Sequence, residues 1–549
     1  RPPEMVEVTR RYRCGSLVLT TTFVTPTGAV EMTDALALRE GVRGHDLGLD
    51  SPHVLLRAVR CTEGEVDLDI EFAPRPEYGL TFPLLHAVEG GVIARGGAAT
   101  LCLSAPISLR VEKRTGMGRI GLVAGEEACF AVTSGSSWEA LPVRWDHSRI
   151  ARHIEDTVLA WRSWQEIHQS YDGPYADAVT HSGRVLQGLT YQPTGAVVAA
   201  PTASLPEAVG GKRNWDYRYS WVRDSSFTLN ALWVAACPDE AAQFLSYLTT
   251  AASSFRERQE LQIMFGIRGE RDLSERALPW LEGWRGSNPV RVGNGAWAQR
   301  QLDVYGELLS AVHRLRDQFP DLDRDERDLL AGLADVAARV WTQRDHGIWE
   351  IRGEPRHYLY SKLMCWVALD RAIGLAPLLG AEERAADWEQ SRDEVSRAIL
   401  ERGWSDEVGA FTQAFGADDL DASNLVIPLV GFLPADDARV LATIEAIEQG
   451  LADERGLIYR YRAADGFEDE EGTFVLCTFW LAEALAMADR VDRAREVFER
   501  AASHANDVGL LAEEVDSHTG ELLGNFPQAF SHVGLVNAAW SIAEAEARQ

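Results

Sequence analysis

The sequence predicts a multidomain β + α protein, an N-terminal β-sandwich followed by an (α/α)6 barrel, and three observations carry that prediction. Alternating or continuous apolar runs rich in β-branched residues, separated by Gly- and Pro-containing turns, dominate the first 145 residues. Apolar spacing of three and four residues takes over at about residue 146, and beyond Pro174 about twelve amphipathic segments follow one another. About twelve is the number that closes a ring of six inner and six outer helices, whose connectors converge on a central cavity. A chain of 549 residues also exceeds what one hydrophobic core organises. The boundaries are therefore placed at 1–145 for the sandwich, 146–172 for a linker helix and 173–549 for the barrel.

The strands are expected at 16–24, 54–61, 66–72, 99–104 and 129–133. Because the chain opens directly into a strand, the sandwich is left open to being incomplete. The linker helix is marked by Ile150, His153, Ile154, Val158, Leu159, Trp161 and Trp164 at helical spacing; His147 and His153 on it read as structural. The barrel helices are expected near 176–191, 222–236, 238–255, 296–318, 325–343, 360–377, 381–402, 420–432, 436–450, 473–488, 491–503 and 528–546. Long, aromatic-rich connectors at 200–221, 256–295, 344–359, 404–419, 455–472 and 505–527 are where function is expected.

With 54 basic and 83 acidic residues, the net charge of −29 repels a nucleic-acid backbone and an anionic membrane alike, so neither is an expected partner. A neutral small molecule is indifferent to that field. No apolar run is long enough for a membrane helix. The seven cysteines are scattered and never spaced C-x-x-C, which fits buried free thiols in a reducing cytoplasm; secretion stays open, because residues 1–10 show neither a starting Met nor a signal pattern. The acidic run Asp321 to Asp328 lacks the glycine and spacing of a calcium loop and reads as a helix N-terminus. No phosphate-binding loop or zinc motif is present, so no metal and no cofactor is expected. A homo-oligomer is left open.

Residues 213 to 230 are the densest stretch of aromatics, arginines and aspartates. Trp215, Tyr217, Tyr219 and Trp221 offer flat faces, while Arg213, Arg218, Arg223, Asp216 and Asp224 offer directed charged hydrogen bonds. Sugar rings need both, although an interior ion-pair network is the plainer alternative for an isolated W-x-R-D. Two connectors also carry a glutamate in an apolar setting. Glu350 lies between Trp349 and Ile351, whose apolar wall is expected to raise its pKa as a general acid requires. Glu354, before a proline, reads as exposed, and Arg352 or Arg356 could bind substrate or a carboxylate. Glu513 and Glu514 follow an apolar run, with Asp516 or His518 placed to orient a water. A salt bridge is the ordinary role of either glutamate alone; as a pair on separate connectors they become an acid and a base flanking a glycosidic bond.

The motifs D-Y-x-Y-x-W-x-R-D at Asp216 to Asp224, W-E-x-R-G at Trp349 to Gly353, S-K-L-M-C-W-V-A-L-D-R-A from Ser361, E-G-T-F-x-x-C-x-F-W at Glu471 to Trp480, and A-E-E-V-D with G-N-F-P-Q-A-F-S-H after it resemble glycoside hydrolase family 15. That family holds glucoamylases, glucodextranases, isomaltose-releasing glucosidases and bacterial trehalases. The resemblance is strong over roughly 175–546 and extends in domain order to the β-sandwich. It implies the sandwich, linker helix and (α/α)6 barrel, and inverting hydrolysis of α-glucosides from the non-reducing end. It places Glu350 at the acid position and Glu513 at the base position, with Glu514 as the neighbouring alternative. It also places Arg223 and Asp224 on the terminal glucose and Tyr217 near the attacking water. Trp221, Trp349 and Arg352 complete the expected substrate contacts. The fungal glucoamylase pattern departs after W-E, where this chain has Ile-Arg-Gly, so a small α-glucoside such as trehalose or an isomalto-oligosaccharide is expected ahead of starch.

The leading expectation is thus an inverting exo-α-glucosidase, with a glucoamylase as the alternative within the family. A glycoside phosphorylase would replace the base-activated water with phosphate and leave Glu513 without a task. A non-catalytic sugar-binding protein would leave both glutamates unexplained. For inversion, the two carboxyl groups are expected roughly 6.5–9.5 Å apart.

Overall fold

The computed structural model describes residues 5, 7–168, 171–234, 238–255, 260–318, 322–463 and 471–549. It divides into two compact units, Arg1–His168 and Gln169–Gln549. Among the described residues the first unit holds ten antiparallel strands: β1 Glu7–Tyr12, β2 Leu19–Thr25, β3 Gly28–Leu36, β4 Val54–Phe72, β5 Leu84–Val88, β6 Gly91–Gly96, β7 Ala99–Ser104, β8 Arg110–Glu112, β9 Thr115–Val123 and β10 Glu127–Ser136. Their order is β1-β2-β3-β4-β10-β7-β6-β5, with β9 on β4 and β8 on β9.

Strand β4 merges two strands that the sequence separates. Residues 54–60 lie between β3 and β10, and residues 65–72 pair with β9. The change of neighbour falls at Gly64, whose φ of +65° suits glycine and where a Cβ would sit 2.1 Å from the Thr27 carbonyl oxygen. Side chains alternate along the first half, so Val54, Leu56 and Ala58 face one core cluster and Val59 and Cys61 another. The second cluster also takes Val66 and Leu68 from beyond Gly64, packed with Val92, Leu103, Leu122 and Phe130. The first is closed by Trp145, Ile150, Ile154 and Val158. The last three are a one-sided stripe on helix α1, His147–His168, which therefore packs on the sheet and belongs to the first unit.

The second unit carries twelve helices among the described residues: α2 Ala176–Gly188, α3 Val222–Val234, α4 Pro238–Ala251, α5 Val304–Arg314, α6 Arg324–Val340, α7 Leu359–Leu379, α8 Ala385–Arg402, α9 Val426–Leu429, α10 Ala438–Gly450, α11 Val475–Met487, α12 Val491–Ala502 and α13 Ala529–Arg548. Every expected segment contains one. The segment 296–318 becomes α-helical only at Val304, because Gly295–Ala298 is a 3-10 turn capped by the Asn294 side chain. The segment 420–432 keeps a 3-10 turn, Ala422–Leu425, ahead of α9, which contains Pro428.

Helix α3 packs on α5 and α5 on α7; α7 meets the 422–425 turn, which with α9 packs on α11; α11 packs on α13, and α13 returns to α3. Helices α7 and α11 are buried and apolar around their circumference, whereas α6 and α12 carry an apolar stripe on one face. Short strand pairs tie the connectors together, notably Ser220–Trp221 with Met264–Phe265, and Thr473–Phe474 with Glu514–Val515 and Leu522–Leu523.

Of the described cysteines, Cys61, Cys102, Cys129, Cys365 and Cys477 are buried free thiols, but Cys14 is exposed; Cys237 lies outside the described residues. No described helix is long and apolar enough to cross a membrane. The acidic run resolves into a helix start over the part that is described. Asp323 caps α6 by accepting from the Glu326 N–H at 2.8 Å, and Glu326 accepts from the Asp323 N–H at 2.9 Å. Asp323→Ala is expected to destabilise the helical unit by about 1 kcal/mol. The loss should appear as a lower melting temperature with kcat/KM unchanged, since the cap is remote from the cavity described next.

Candidate active site

An open cavity is lined by residues from five of the six connectors: Glu207, Arg213, Trp215 and Tyr217; Asn294; Ile348 to Arg352; Arg460 and Tyr461; and Glu513. The connector at 404–419 contributes none of the lining residues. The starts of the following helices complete the wall with Arg223 and Asp224 on α3, Phe474 before α11, and Gln528 and Phe530 at α13. All eight residues expected at the site, Tyr217, Trp221, Arg223, Asp224, Trp349, Glu350, Arg352 and Glu513, line this cavity.

Glu350 sits at φ +57°, a left-handed conformation uncommon for a residue with a side chain, directly after the Gly347 turn at φ +71°. Its backbone carbonyl accepts from Gln299 Nε2 at 3.0 Å. The expected apolar wall is not what surrounds its carboxyl group. Oε1 accepts from the Trp221 indole Nε1 at 2.7 Å and lies 3.4 Å from Arg223 Nη2, and about a fifth of the side chain (21%) is exposed. Trp349 points elsewhere, packing edge-on to Phe474 and donating to Asp421 at 2.9 Å.

Arg223 is buried among carboxylates. Its Nη1 donates to Gln301 Oε1 at 2.9 Å and lies 3.4 Å from Asp303 Oδ2; its Nε is 3.8 Å from Asp224 Oδ2. Burial opposes its charge, but Asp303, Asp224 and Glu350 outweigh that and hold the guanidinium protonated beyond its ordinary range. Asp224 is pushed up to about 7, chiefly by burial, against the pull of Arg223 and with Glu350 and Asp303 adding to the rise. Its Oδ2 is buried without a hydrogen-bond partner.

Glu513 and Glu514 separate by strand alternation. The Glu513 side chain lines the cavity, its carbonyl held by the first N–H of α11 at 3.0 Å. Glu514 is fully buried behind it and accepts from the Gly472 N–H at 2.9 Å. Glu513 Oε1 accepts from Tyr217 at 3.1 Å and lies 3.3 Å from Gln528 Nε2, while Oε2 is buried without a partner. Burial, with the nearby Glu207 charge second, raises its pKa well above the carboxylate range.

Several expected roles fall elsewhere. Asp516 accepts from the N–H groups of His518 at 2.9 Å and Thr519 at 2.6 Å, so it shapes a turn, and neither it nor His518 lines the cavity. Asp216 is a buried scaffold that holds Arg218 and the Gly293 N–H. Arg352 lines the cavity but is paired with Glu275 at 2.8 Å and lies over the Trp215 ring at 4.1 Å. Arg356 reaches Gln413, and Glu354 is exposed.

Sequence reasoning missed Glu207, Asn294, Arg460 and Gln528 as lining residues. For Gln528 the signal was there, inside the G-N-F-P-Q-A-F-S-H motif. Among the described residues, the carboxylates of Glu207, Glu471 and Glu514 come within 4.8 Å of one another, as do ligand atoms of Glu127, Cys129 and His147 in the first unit. In the former cluster Arg213 and Arg460 both pair with Glu471, so the protein's own guanidiniums supply the compensating charge.

Carboxylates on separate connectors, hydrogen-bonded aromatics and unpaired buried acceptors, at the connector end of a helical unit, are the layout of a glycoside hydrolase. The comparisons with known proteins agree: the sequence pattern of glycosyl hydrolases family 15 matches residues 173–540, and the chain belongs to that family. It is 40% identical over 565 residues to a trehalase of Mycolicibacterium smegmatis, covering 98% of this chain and 83% of the relative. It is 35% identical over 489 residues to a trehalase of Thermoplasma volcanium, covering 89% and 77%. A bacterial glucoamylase solved with acarbose superposes with a TM-score of 0.76 at 15% identity, covering 99% of this chain and 86% of that one, a likeness of fold.

Asp224→Asn is expected to lower kcat/KM by roughly 10- to 100-fold, the worth of a lost charge-assisted bond or two to a sugar. It should not lower the melting temperature at pH 7. A carboxyl group with a raised folded-state pKa stabilises the fold at low pH, and that stability is lost as pH rises from the ordinary aspartate value toward about 7. The amide removes that loss, so thermal melts at pH 5 and pH 7 should lie closer together in the variant than in the wild type.

Proposed function

We propose that this protein is an inverting, exo-acting α-glucosidase whose substrate is trehalose. The observation that carries the reading is the placement of Glu350 and Glu513, from connectors more than 150 residues apart, on the wall of one cavity, in a chain 40% identical to a trehalase over nearly its whole length. The helix contacts that run from α3 through α5, α7, the 422–425 turn, α11 and α13 back to α3 support an (α/α)6 barrel around that cavity.

In this reading Glu350 protonates the glycosidic oxygen. Both of its contacts fall on Oε1, which leaves Oε2 to carry the proton. Glu513 takes a proton from the water that attacks the opposite face of the anomeric carbon, using its unpartnered Oε2. Arg223 and Asp224 hold hydroxyls of the reacting glucose, and the Trp215 and Trp349 side chains contribute to the cavity wall around the two sugars. The Glu350 backbone carries a positive φ because the turn must deliver Trp349 inward to Asp421 and the next side chain to Trp221.

Trehalose, maltose, isomaltose and soluble starch should be compared by released glucose, with trehalose expected to turn over fastest. Both glucoses of trehalose are α-linked, so inversion yields one β- and one α-glucose per molecule. Proton NMR before mutarotation should therefore show equal amounts, whereas a retaining reaction would give the α-anomer alone. Glu350→Gln should lower trehalose hydrolysis by about 10²- to 10⁴-fold yet spare α-glucosyl fluoride, which leaves with little need of a proton. Glu513→Ala should lose both activities, and azide should restore turnover of the fluoride as β-glucosyl azide. Equal loss of fluoride hydrolysis in the two variants would remove the acid and base assignments.

A further inference from the structure

The Tyr217 hydroxyl has one hydrogen and two carboxylates to give it to. Glu207 Oε1 and Glu513 Oε1 both lie 3.1 Å from it. Glu207 is 3% exposed, its Oε2 has no hydrogen-bond partner, and it packs with Glu513 against Gly524. Nothing in the hydrolysis described above uses it. We propose that Glu207 is a positioning residue for the base, a fixed negative charge that strengthens Glu513 as a proton acceptor and receives the Tyr217 hydrogen bond when Glu513 no longer needs it. The proposal rests on Glu513 being the general base.

Before reaction, Tyr217 donates to the Glu513 carboxylate. As the attacking water loses a proton, an O–H bond of water breaks and a new one forms on Glu513 Oε2. Glu513 becomes neutral, and the Tyr217 hydrogen, still covalently bound to its own oxygen, rotates to Glu207. Two terms favour proton uptake in that step. Repulsion between two buried carboxylates disappears, and a charge-assisted hydrogen bond is moved to a new acceptor instead of being lost.

Two guanidiniums and a donor oppose the effect of burial on Glu207. Arg460 and Arg213 face it from their connectors together with Glu471, the Trp215 side chain hydrogen-bonds to it, and Glu514 lies behind it. Glu513 is faced by Glu207, Arg460, Tyr217, Asp224, Glu514 and Gln528. Burial lifts Glu207 to about 7, and burial first and the charge of Glu207 second raise Glu513 well above the carboxylate range.

The test is the acid limb of the kcat/KM profile on trehalose. Glu207→Gln removes the charge but keeps a hydrogen-bonding side chain, so the limb should move down by about one pH unit or more and kcat on the plateau should fall with the weaker base. Glu207→Asp keeps the charge and should hold the limb near its wild-type position. A Glu207→Gln limb that coincides with the wild type would overturn the proposal. The carboxyl carbons of ¹³C-labelled glutamate, followed by NMR in the full-length protein, give a readout free of turnover. Glu513, assigned from Glu513→Gln, should titrate lower in Glu207→Gln, and an unmoved titration would overturn the coupling. If the wild type hydrolyses no α-glucoside, the functional reading fails while this titration still decides whether Glu207 acts on Glu513. If Glu207→Gln does not fold, Tyr217→Phe serves instead: with no hydrogen to pass between them, the pair should repel more strongly and Glu513 should titrate higher, and an unchanged value would overturn the bridge.

Discussion

The buried guanidinium of Arg223 is the interaction on which the site depends. Taking a cation out of water costs several kcal/mol, and the fold offsets that by surrounding it with Asp303 at the start of α5, Asp224 beside it on α3, and Glu350 from the connector ahead of α7. The same arrangement fastens three parts of the helical unit to one planar group. Its fork geometry fixes directions as well as charge, so the position of Glu350 follows from where Arg223 must point to satisfy Gln301 and Asp303. Below this layer Tyr360 on α7 donates to Glu307 on α5, and Ser361 donates to Asp345 at 2.6 Å, which extends the polar floor beneath the cavity. The carboxyl groups of that floor are raised by burial, as Glu307 is well above its usual range and Asp345 is pushed up to about 6.

The helical unit was legible because its signal is local. An apolar stripe every three or four residues is written within each helix, and all twelve segments could be read without knowing what they pack against. Their boundaries were less legible where a capped 3-10 turn precedes the helix, as the turn begun by Asn294 does ahead of α5. The β unit was harder for a physical reason. Strands β3 and β9 gain their stability from neighbours, and their sequences, Gly-Ala-Val-Glu-Met-Thr-Asp-Ala-Leu and Thr-Gly-Met-Gly-Arg-Ile-Gly-Leu-Val, carry acidic residues or repeated glycines that weaken any intrinsic strand signal. Strand β4 looked like two strands because Cys61 to Glu65 is polar and glycine-bearing where it changes partners. Of the region 146–172 expected to be a linker helix, His147–His168 is helical, and only the core cluster shows that its stripe is spent on the sheet.

For the site, the density of aromatic and charged residues at 213–224 pointed to the right wall of the cavity, and the spacing of the connectors pointed to the rest. What sequence adjacency could not supply was the surroundings of each carboxyl group. Glu350 has Trp349 and Ile351 as chain neighbours, which suggested an apolar wall, yet its left-handed backbone turns the carboxylate to Trp221 and Arg223, well over a hundred residues upstream. Glu513 and Glu514 were indistinguishable in the sequence and are opposite in the structure, one toward the cavity and one behind it. Glu207 and Arg460 matter only through convergence, and no local pattern marks either.

The two proposed catalytic carboxyl groups consequently live in different electrostatic settings. Glu350 is partly open to solvent, and its Oε1 is held by an indole N–H and faces a guanidinium. Glu513 is enclosed, with other carboxylates behind it and Arg460 opposing them, so its neighbours favour the state in which a proton has arrived. The environment of Glu513 thus favours the product of the step assigned to it, an acceptor that becomes neutral. The arrangement is unfavourable to folding at neutral pH, since Glu207 and Asp224 are both raised to about 7 and their contribution to stability is lost as pH climbs from the ordinary carboxylate range to that value. A cavity tuned for stability would have replaced these acids with neutral isosteres. Their concentration around one pocket, over a polar floor of further buried acids, is the physical signature of charge retained for chemistry.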